Sequence, residues 1–320
     1  MAVSVKSLKV YYQTLRGQVQ AVDNVSFDIK EHEILGMAGE SGCGKSTFSN
    51  SLVLLKPPMK HVGGQVELDG ETLPLSDFKK MNRFRYTKVS IIPQYAMNAL
   101  NPTRKIGRMI AELLESRGMS IARVSKELDR RLKLVNLDRS VMKMYPFELS
   151  GGMRQRTVMV IATLLNPSLL LADEITSALD VSTQKAVAKM LVQFRDNNLV
   201  KSVVFVTHDI SILYQIADSI LIMYAGKIVE IASTESITRE PRHPYTRLLI
   251  SSLPDVGVKY TDRRLAGIKG RPPSLLNPLP GCRFKERCPV RFDKCDEEPP
   301  LEKISEQHQV ACWREVRVDG

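Results

Sequence analysis

Hydrophobic and polar positions change their spacing several times along this chain, and each change marks an element. Residues 1 to about 30 alternate apolar with polar, which predicts paired β-strands. The run Glu33–Ala38 is short and apolar and predicts a buried strand, followed by a helix over Thr47–Leu55. Lys88–Ile92 predicts another strand. Residues 95–148 are polar with a helical period, and predict helices over Ile106–Gly118 and Ile121–Asn136. From 155 to 235 strands and helices alternate again, with apolar runs at Ser168–Ala172 and Ser202–Val206. Continuous apolar runs of that length suit parallel strands buried on both faces. The pattern predicts an α/β fold: a nucleotide-type core, an antiparallel β part at the start and an inserted helical part.

Candidate chemistry sits where the predicted strands end. Gly39-Glu-Ser41-Gly42-Cys43-Gly44-Lys45-Ser46-Thr47 fits the phosphate-binding pattern G-x-x-x-x-G-K-[ST] without a mismatch, between a strand and a helix. Gly42 and Gly44 allow the backbone to wrap phosphates with its amides inward. Lys45 is expected at the β- and γ-phosphates of a bound nucleotide, and Ser46 on Mg²⁺. Cys43 reads as a small filler. The strand at Ser168 ends in Asp173 and Glu174, an acidic pair that is expensive to bury without a cation. Asp173 is expected at Mg²⁺, and Glu174 as the base that polarises the attacking water. His208 follows the strand at Ser202 and is expected at the γ-phosphate or that water. Gln94 follows the strand at Lys88, and its amide can serve both water and metal. Ser177–Asp180 lies just after the acids. A second glycine-rich turn, Leu149-Ser150-Gly151-Gly152-Met153, precedes a helical stretch, and a helix N-terminus with bare amides suits a phosphate.

These residues, in this order, resemble the ATP-binding subunit of an ABC transporter, over essentially the whole chain. The resemblance implies that Lys45 and Ser46 belong to the Walker A loop, Gln94 to the Q-loop, Ser150–Met153 to the signature, Asp173 and Glu174 to Walker B, Ser177–Asp180 to the D-loop and His208 to the H-switch. It also implies an aromatic stacked on adenine, for which Tyr12 is the match and Tyr11 the second choice. Two subunits would face head to tail, so that Ser150, Gly151 and Gly152 serve the ATP held by the partner chain. The segment 95–102 would dock on a membrane subunit. The family places proline after the catalytic glutamate where this chain has Ile175. Isoleucine is expected to leave that turn freer without abolishing hydrolysis.

The tail narrows the resemblance. Arg242–Leu249 and the proline-rich Pro272–Gly281, which cannot be regular helix, resemble the C-terminal segment of the dipeptide/oligopeptide importer subfamily, whose members take peptides, nickel or oligosaccharides. Cys282, Cys288, Cys295 and Cys312 follow with spacing C-x₅-C-x₆-C-x₁₆-C, four of the chain's 5 cysteines. Clustered thiols in a reducing compartment point to a metal. The gaps exceed the usual zinc knuckle, and four thiolates also suit an iron–sulfur cluster. Zinc, free thiols and reversible disulfides remain alternatives, while the subfamily resemblance favours a [4Fe-4S] cluster with a structural role. The expected domains are a nucleotide-binding domain over 1–240, with a helical signature subdomain at about 95–150, and a small Cys-rich extension over 241–320.

Composition bounds the rest. With 320 residues and 43% hydrophobic content, the chain holds one large domain and a small one. No apolar stretch approaches the roughly 18 residues needed to cross a bilayer, and no secretory leader is seen. The expectation is a peripheral protein on the cytoplasmic face of the membrane. The net charge of +11 is spread along the chain; it suits an anionic leaflet, and nucleic acid is not expected as a partner. The expected partners are a second ATPase subunit, as a heterodimer in preference to a homodimer, two membrane-spanning permease subunits and an extracytoplasmic substrate-binding protein. The same role in a β-glucoside-type oligosaccharide importer is the alternative. A DNA-repair ATPase of this class would need a coiled coil in place of the short 95–148 interval, and a translation factor would need two cassettes.

Overall fold

The computed structural model describes residues 2–177, 179–252 and 267–315. The chain opens with β1 (Val3–Thr14) and β2 (Gly17–Ile29), then β3 (Ile34–Ala38), α1 (Lys45–Ser51), β4 (Met59–Leu68), β5 (Glu71–Thr72), α2 (Phe78–Phe84) and β6 (Val89–Ile92). Helices α3 (Ile106–Glu115), α4 (Ile121–Leu134) and α5 (Gly151–Thr163) follow. Alternation resumes with β7 (Leu169–Asp173), α6 (Val181–Asp196), β8 (Ser202–Val206), α7 (Ile210–Ile216), β9 (Ser219–Tyr224) and β10 (Lys227–Ser233). The chain closes with α8 (Thr234–Arg239), α9 (Pro244–Ser251), β11 (Glu302–Ser305) and β12 (His308–Val310).

Two sheets form. One is antiparallel with order β2-β1-β4-β5; the other has order β11-β12-β10-β9-β3-β8-β7-β6. Within the second, β9-β3-β8-β7-β6 are parallel, and β10, β12 and β11 extend it antiparallel. The parallel strands are buried on both faces, which is why they read as unbroken apolar runs. In β7, Leu169 and Leu171 pack with the first sheet and α1, whereas Leu170 and Ala172 pack with the helical part. In β8, Val204 and Val206 take the first side, and Val203 and Phe205 the second. The sheet thus joins two cores, with its strand ends exposed to ligands where a parallel sheet binds them.

The sequence-based elements shift slightly at their ends. The helix predicted from Thr47 begins at Lys45 and stops at Ser51, before the prolines at 57 and 58. The two helices of the insert end at Glu115 and Leu134, two to three residues early, because Gly118 and Asn136 both take positive φ, which a helix cannot continue through. Gln94 and His208 lie two residues beyond their strands, on the turns that leave Ile92 and Val206. Pro272–Gly281 contains no helix; Leu276 instead bridges to Val19 of β2. No helix among the described residues is long and apolar enough to cross a membrane.

Candidate functional site

The loop between β3 and α1 is fixed by glycines that no other residue could replace. Gly39 has φ +147°, and a Cβ there would stand 2.2 Å from the Met223 carbonyl oxygen. Gly44 has φ +113°, and its Cβ would stand 2.0 Å from the Ala21 carbonyl oxygen. Gly42, by contrast, has nothing within 4 Å of its Cβ position, so that its open side faces the cleft. Lys45 is 4% exposed, and its ammonium donates to the carbonyls of Gly39 at 2.7 Å and Glu40 at 3.1 Å. Ser41, Gly42, Gly44, Lys45, Ser46, Thr47, Gln94 and Glu174 line one pocket. Cys43 is buried, and burial pushes its thiol pKa up, which agrees with its reading as filler.

Three other strand ends converge on this pocket. Ser46 Oγ donates to Asp173 Oδ1 at 3.0 Å. Burial raises the Asp173 carboxyl to about 6, against the opposing Ser46 hydrogen bond. The hydroxyl of Ser46 and the carboxylate of Asp173 are oxygen donors of the kind that suits Mg²⁺. Gln94 Nε2 donates to Glu174 Oε2 at 2.9 Å, and Ser177 Oγ donates to the same oxygen at 3.4 Å. His208 Nδ1 stands 3.9 Å from that oxygen, its ring largely exposed. Glu174 itself has φ +48°, a costly left-handed conformation for a glutamate, and its N–H donates to the Val206 carbonyl at 2.9 Å. The turn therefore aims Glu174 across the sheet end toward Gln94.

Ile175 corrects one expectation. Its side chain is 4% exposed, within the core under the helical part, and its carbonyl accepts from Gln155 Nε2 at 2.6 Å. The turn is held by burial and by α5, not left freer. Gln155 was missed from the sequence; one buried glutamine on a helix carries no spacing signal. Tyr11 is buried and donates to Asp23 Oδ1 at 2.6 Å, whereas the Tyr12 hydroxyl lies 3.0 Å from Thr47 Oγ1 at the start of α1. Of the two tyrosines, Tyr12 is the one beside the loop.

Ser150, Gly151 and Gly152 stand apart from this pocket. Ser150 is exposed and caps α5, its Oγ accepting from the Met153 N–H at 3.3 Å. In the segment Ser177–Asp180, Asp180 caps α6, and Ala178 lies outside the described residues.

The cysteines of the tail do come together. Cys282, Cys288, Cys295 and Cys312 line one small pocket with Phe284, Val290, Phe292 and Trp313, and all four are free thiols. Burial pushes Cys282 up to about 11 and raises Cys288 and Cys312 as well. The expected ligand set is nevertheless not formed. No three His, Cys, Asp or Glu side chains are grouped to hold a metal ion among the described residues. The apolar pocket favours the neutral form of Cys282, Cys288 and Cys312.

Comparisons with known proteins agree with this geometry. Residues 22–177 match the ABC transporter family, and residues 229–295 match the oligopeptide/dipeptide transporter C-terminal region. The chain is 40% identical to the dipeptide transport ATP-binding protein DppD of Bacillus subtilis, over 97% of this chain and 94% of that protein. It belongs to the ABC transporter ATP-binding family. Within that family it falls with the ATP-binding subunits of dipeptide and oligopeptide importers. The oligopeptide transport ATP-binding protein OppD of Escherichia coli is 35% identical over 98% of this chain and 93% of its own length. Among solved structures, the ATP-binding cassette MJ0796, as a dimer in a post-hydrolysis state bound to ADP and Pi, superposes with TM-score 0.63 at 28% identity. It covers 72% of this chain and 98% of its own. The ABC ATPase fold of the cassette is thereby established.

Proposed function

We propose that this cassette hydrolyses ATP to drive import of dipeptides or oligopeptides through separate membrane subunits. The observation that carries the reading is the meeting of Lys45, Ser46, Asp173, Gln94 and Glu174 at one sheet end. Lys45 and the loop amides bind the phosphates of ATP, leaving the two backbone carbonyls on which the ammonium rests. Tyr12, beside Thr47, receives the adenine. Ser46, Asp173 and Gln94 would hold Mg²⁺, which neutralises phosphate charge when bound. Glu174 accepts a proton from the attacking water, which Gln94 and His208 help to orient. The dipeptide and oligopeptide names of the relatives favour peptides over oligosaccharides.

The dimeric neighbour supports pairing of two cassettes, in which Ser150, Gly151 and Gly152 of one serve the ATP of the other. A heterodimer, two permease subunits and an extracytoplasmic binding protein complete the proposed importer, with the segment 95–102 docking on a permease at the cytoplasmic face. Residues 1–240 then form the nucleotide-binding domain, residues 95–150 its signature subdomain and residues 241–320 the extension. In that extension the four thiols share one pocket, but their grouping does not fit a thiolate-bound metal as it stands. No step of the ATP reaction is routed through it. Iron, sulfide and zinc analysis of anaerobically purified protein separates a [4Fe-4S] cluster from zinc and from free thiols. The functional reading is tested with the reconstituted complex. Binding protein loaded with a peptide should stimulate ATP hydrolysis, and stimulation by an oligosaccharide alone would overturn the peptide assignment.

A further inference from the structure

Glu40, inside the nucleotide loop, is gripped by the C-terminal region at both its backbone and its side chain. Its N–H donates to the Tyr245 hydroxyl of α9 at 2.9 Å. Its carboxylate receives two parallel N–H bonds from Arg287, at 2.7 and 2.9 Å, across 247 residues of sequence. Its carbonyl takes the Lys45 ammonium at 3.1 Å and the Cys43 N–H at 3.2 Å. Arg287 is itself fully engaged. Its Nε donates to the Lys269 carbonyl, its Nη2 also to the Ile268 carbonyl, and its Nη1 also to the Tyr224 hydroxyl. The side chain is 5% exposed, and these partners push its pKa up, led by Glu40. A bidentate guanidinium–carboxylate pair fixes direction as well as distance. Tyr224, Tyr245 and Phe284 pack as a triangle beneath it, with ring centroids 4.6, 5.1 and 5.3 Å apart. The tail thus reaches the loop through a rigid aromatic base and an ion pair.

We propose that Arg287 and Tyr245 are positioning residues for ATP binding, acting through Glu40. The inference rests on Gly39–Thr47 being the ATP loop. Neither residue touches the pocket that holds Glu174 and Gln94, so their effect falls on affinity and not on the chemical step. Displacing Glu40 moves the carbonyl under Lys45 and tilts the peptide plane leading into Ser41, which changes what phosphates meet. The tail thereby sets how tightly the cassette holds nucleotide.

The test is a double-mutant cycle on the full chain in its complex, with Arg287→Gln, Glu40→Gln and the pair. Arg287→Gln should raise KM for ATP about fivefold or more, with kcat within about twofold. The same change in the Glu40→Gln background should add little. Arg287→Lys should restore part of the affinity, and Tyr245→Phe, which removes only a hydroxyl, should raise KM alone. Lys45→Ala is the control: ATP binding that survives it overturns the loop assignment itself. If Lys45→Ala abolishes binding but Arg287→Gln acts equally with and without Glu40, the positioning role is wrong and Arg287 merely folds the tail. Should Arg287→Gln fail to fold, the cycle run with Arg287→Lys and Glu40→Gln decides on the same criterion.

Discussion

The turn that opens α1 and the turn that opens α5 are both glycine-rich helix N-termini, yet they are built differently. The first is enclosed. Lys45 is buried, Gly44 is pressed against the Ala21 carbonyl, and two other strands bring Asp173, Glu174 and Gln94 to it. The second stands open. Ser150 is exposed, and Gly152 has nothing within 4 Å of its Cβ position. A side chain added at Gly39 or Gly44 collides with this chain; one added at Gly152 meets nothing within 4 Å. The difference teaches that the first turn is specified by contacts within its own fold, whereas Gly152 meets no such contact among the described residues.

The largest expected effect separates chemistry from assembly. Glu174→Gln should lower hydrolysis by about 10³-fold, in the range for loss of a general base, while both turns stay intact. ATP should then hold two cassettes together for longer, seen as an ATP-dependent dimer by light scattering. Hydrolysis persisting near the native rate would remove Glu174 from its assigned role.

Acid should weaken the support behind the enclosed turn. His243 caps α9, its Nδ1 accepting the Tyr245 N–H at 3.0 Å, and its own N–H donates to Glu230 Oε2 at 3.0 Å. Burial lowers its pKa to about 4; the Glu230 carboxylate opposes this shift, and Arg247 adds to it. Between about 6.5 and 4 the unfolded chain binds the proton that the folded one refuses. Stability from this group is therefore full above about 6.5 and falls as pH drops, by about 2–3 kcal/mol at pH 4. Glu230, whose carboxyl is held below its ordinary value by His308 and by backbone N–H groups, loses its own contribution in the same direction at lower pH. His243→Asn keeps a capping acceptor without the titration, so its urea stability should decline less between pH 6.5 and 4. An unchanged decline would assign the acid loss elsewhere.

Gly152→Asp tests the open turn directly. The new carboxylate fits this chain and would face the phosphates of the partner's ATP. Isolated subunit should bind ATP with unchanged affinity, whereas hydrolysis by the assembled complex should fall about 10- to 100-fold. Weakened binding by the isolated subunit would mean that the turn serves its own nucleotide.

What the sequence made legible follows the same division. The loop at Gly39–Thr47, the acids at 173 and 174 and the strands beneath them could be read because spacing and apolar runs are local. Glu40 fills an unspecified place in the loop pattern, and its meaning depends on Arg287 and Tyr245, hundreds of residues away and unmarked by any period. Glu230, buried on β10 with His308 and the His243 N–H, was equally silent. The four cysteines were legible as a cluster, but not the apolar packing that separates their gathering from a formed ligand set.

Ile175→Pro gives the smallest expected effect and bears on how the enclosed turn is joined to the open one. Ile175 links them, since Gln155, on the helix that Ser150 caps, donates to its carbonyl. Proline retains that carbonyl. The Ile175 N–H makes no hydrogen bond among the described residues, so none is lost there. Two costs remain: part of a buried side chain, and the bias of a residue before proline toward extended backbone, against the left-handed Glu174. The first should lower stability by about 1 kcal/mol. The second is opposed by the Glu174 N–H bond to Val206 and by the pull of Gln94 on the carboxylate. ATPase activity within about threefold of the native rate is therefore expected, as the bonds holding Glu174 all survive. A fall beyond tenfold, with stability intact, would show that isoleucine preserves the left-handed turn, and that the proline form of this loop aims its glutamate by different means.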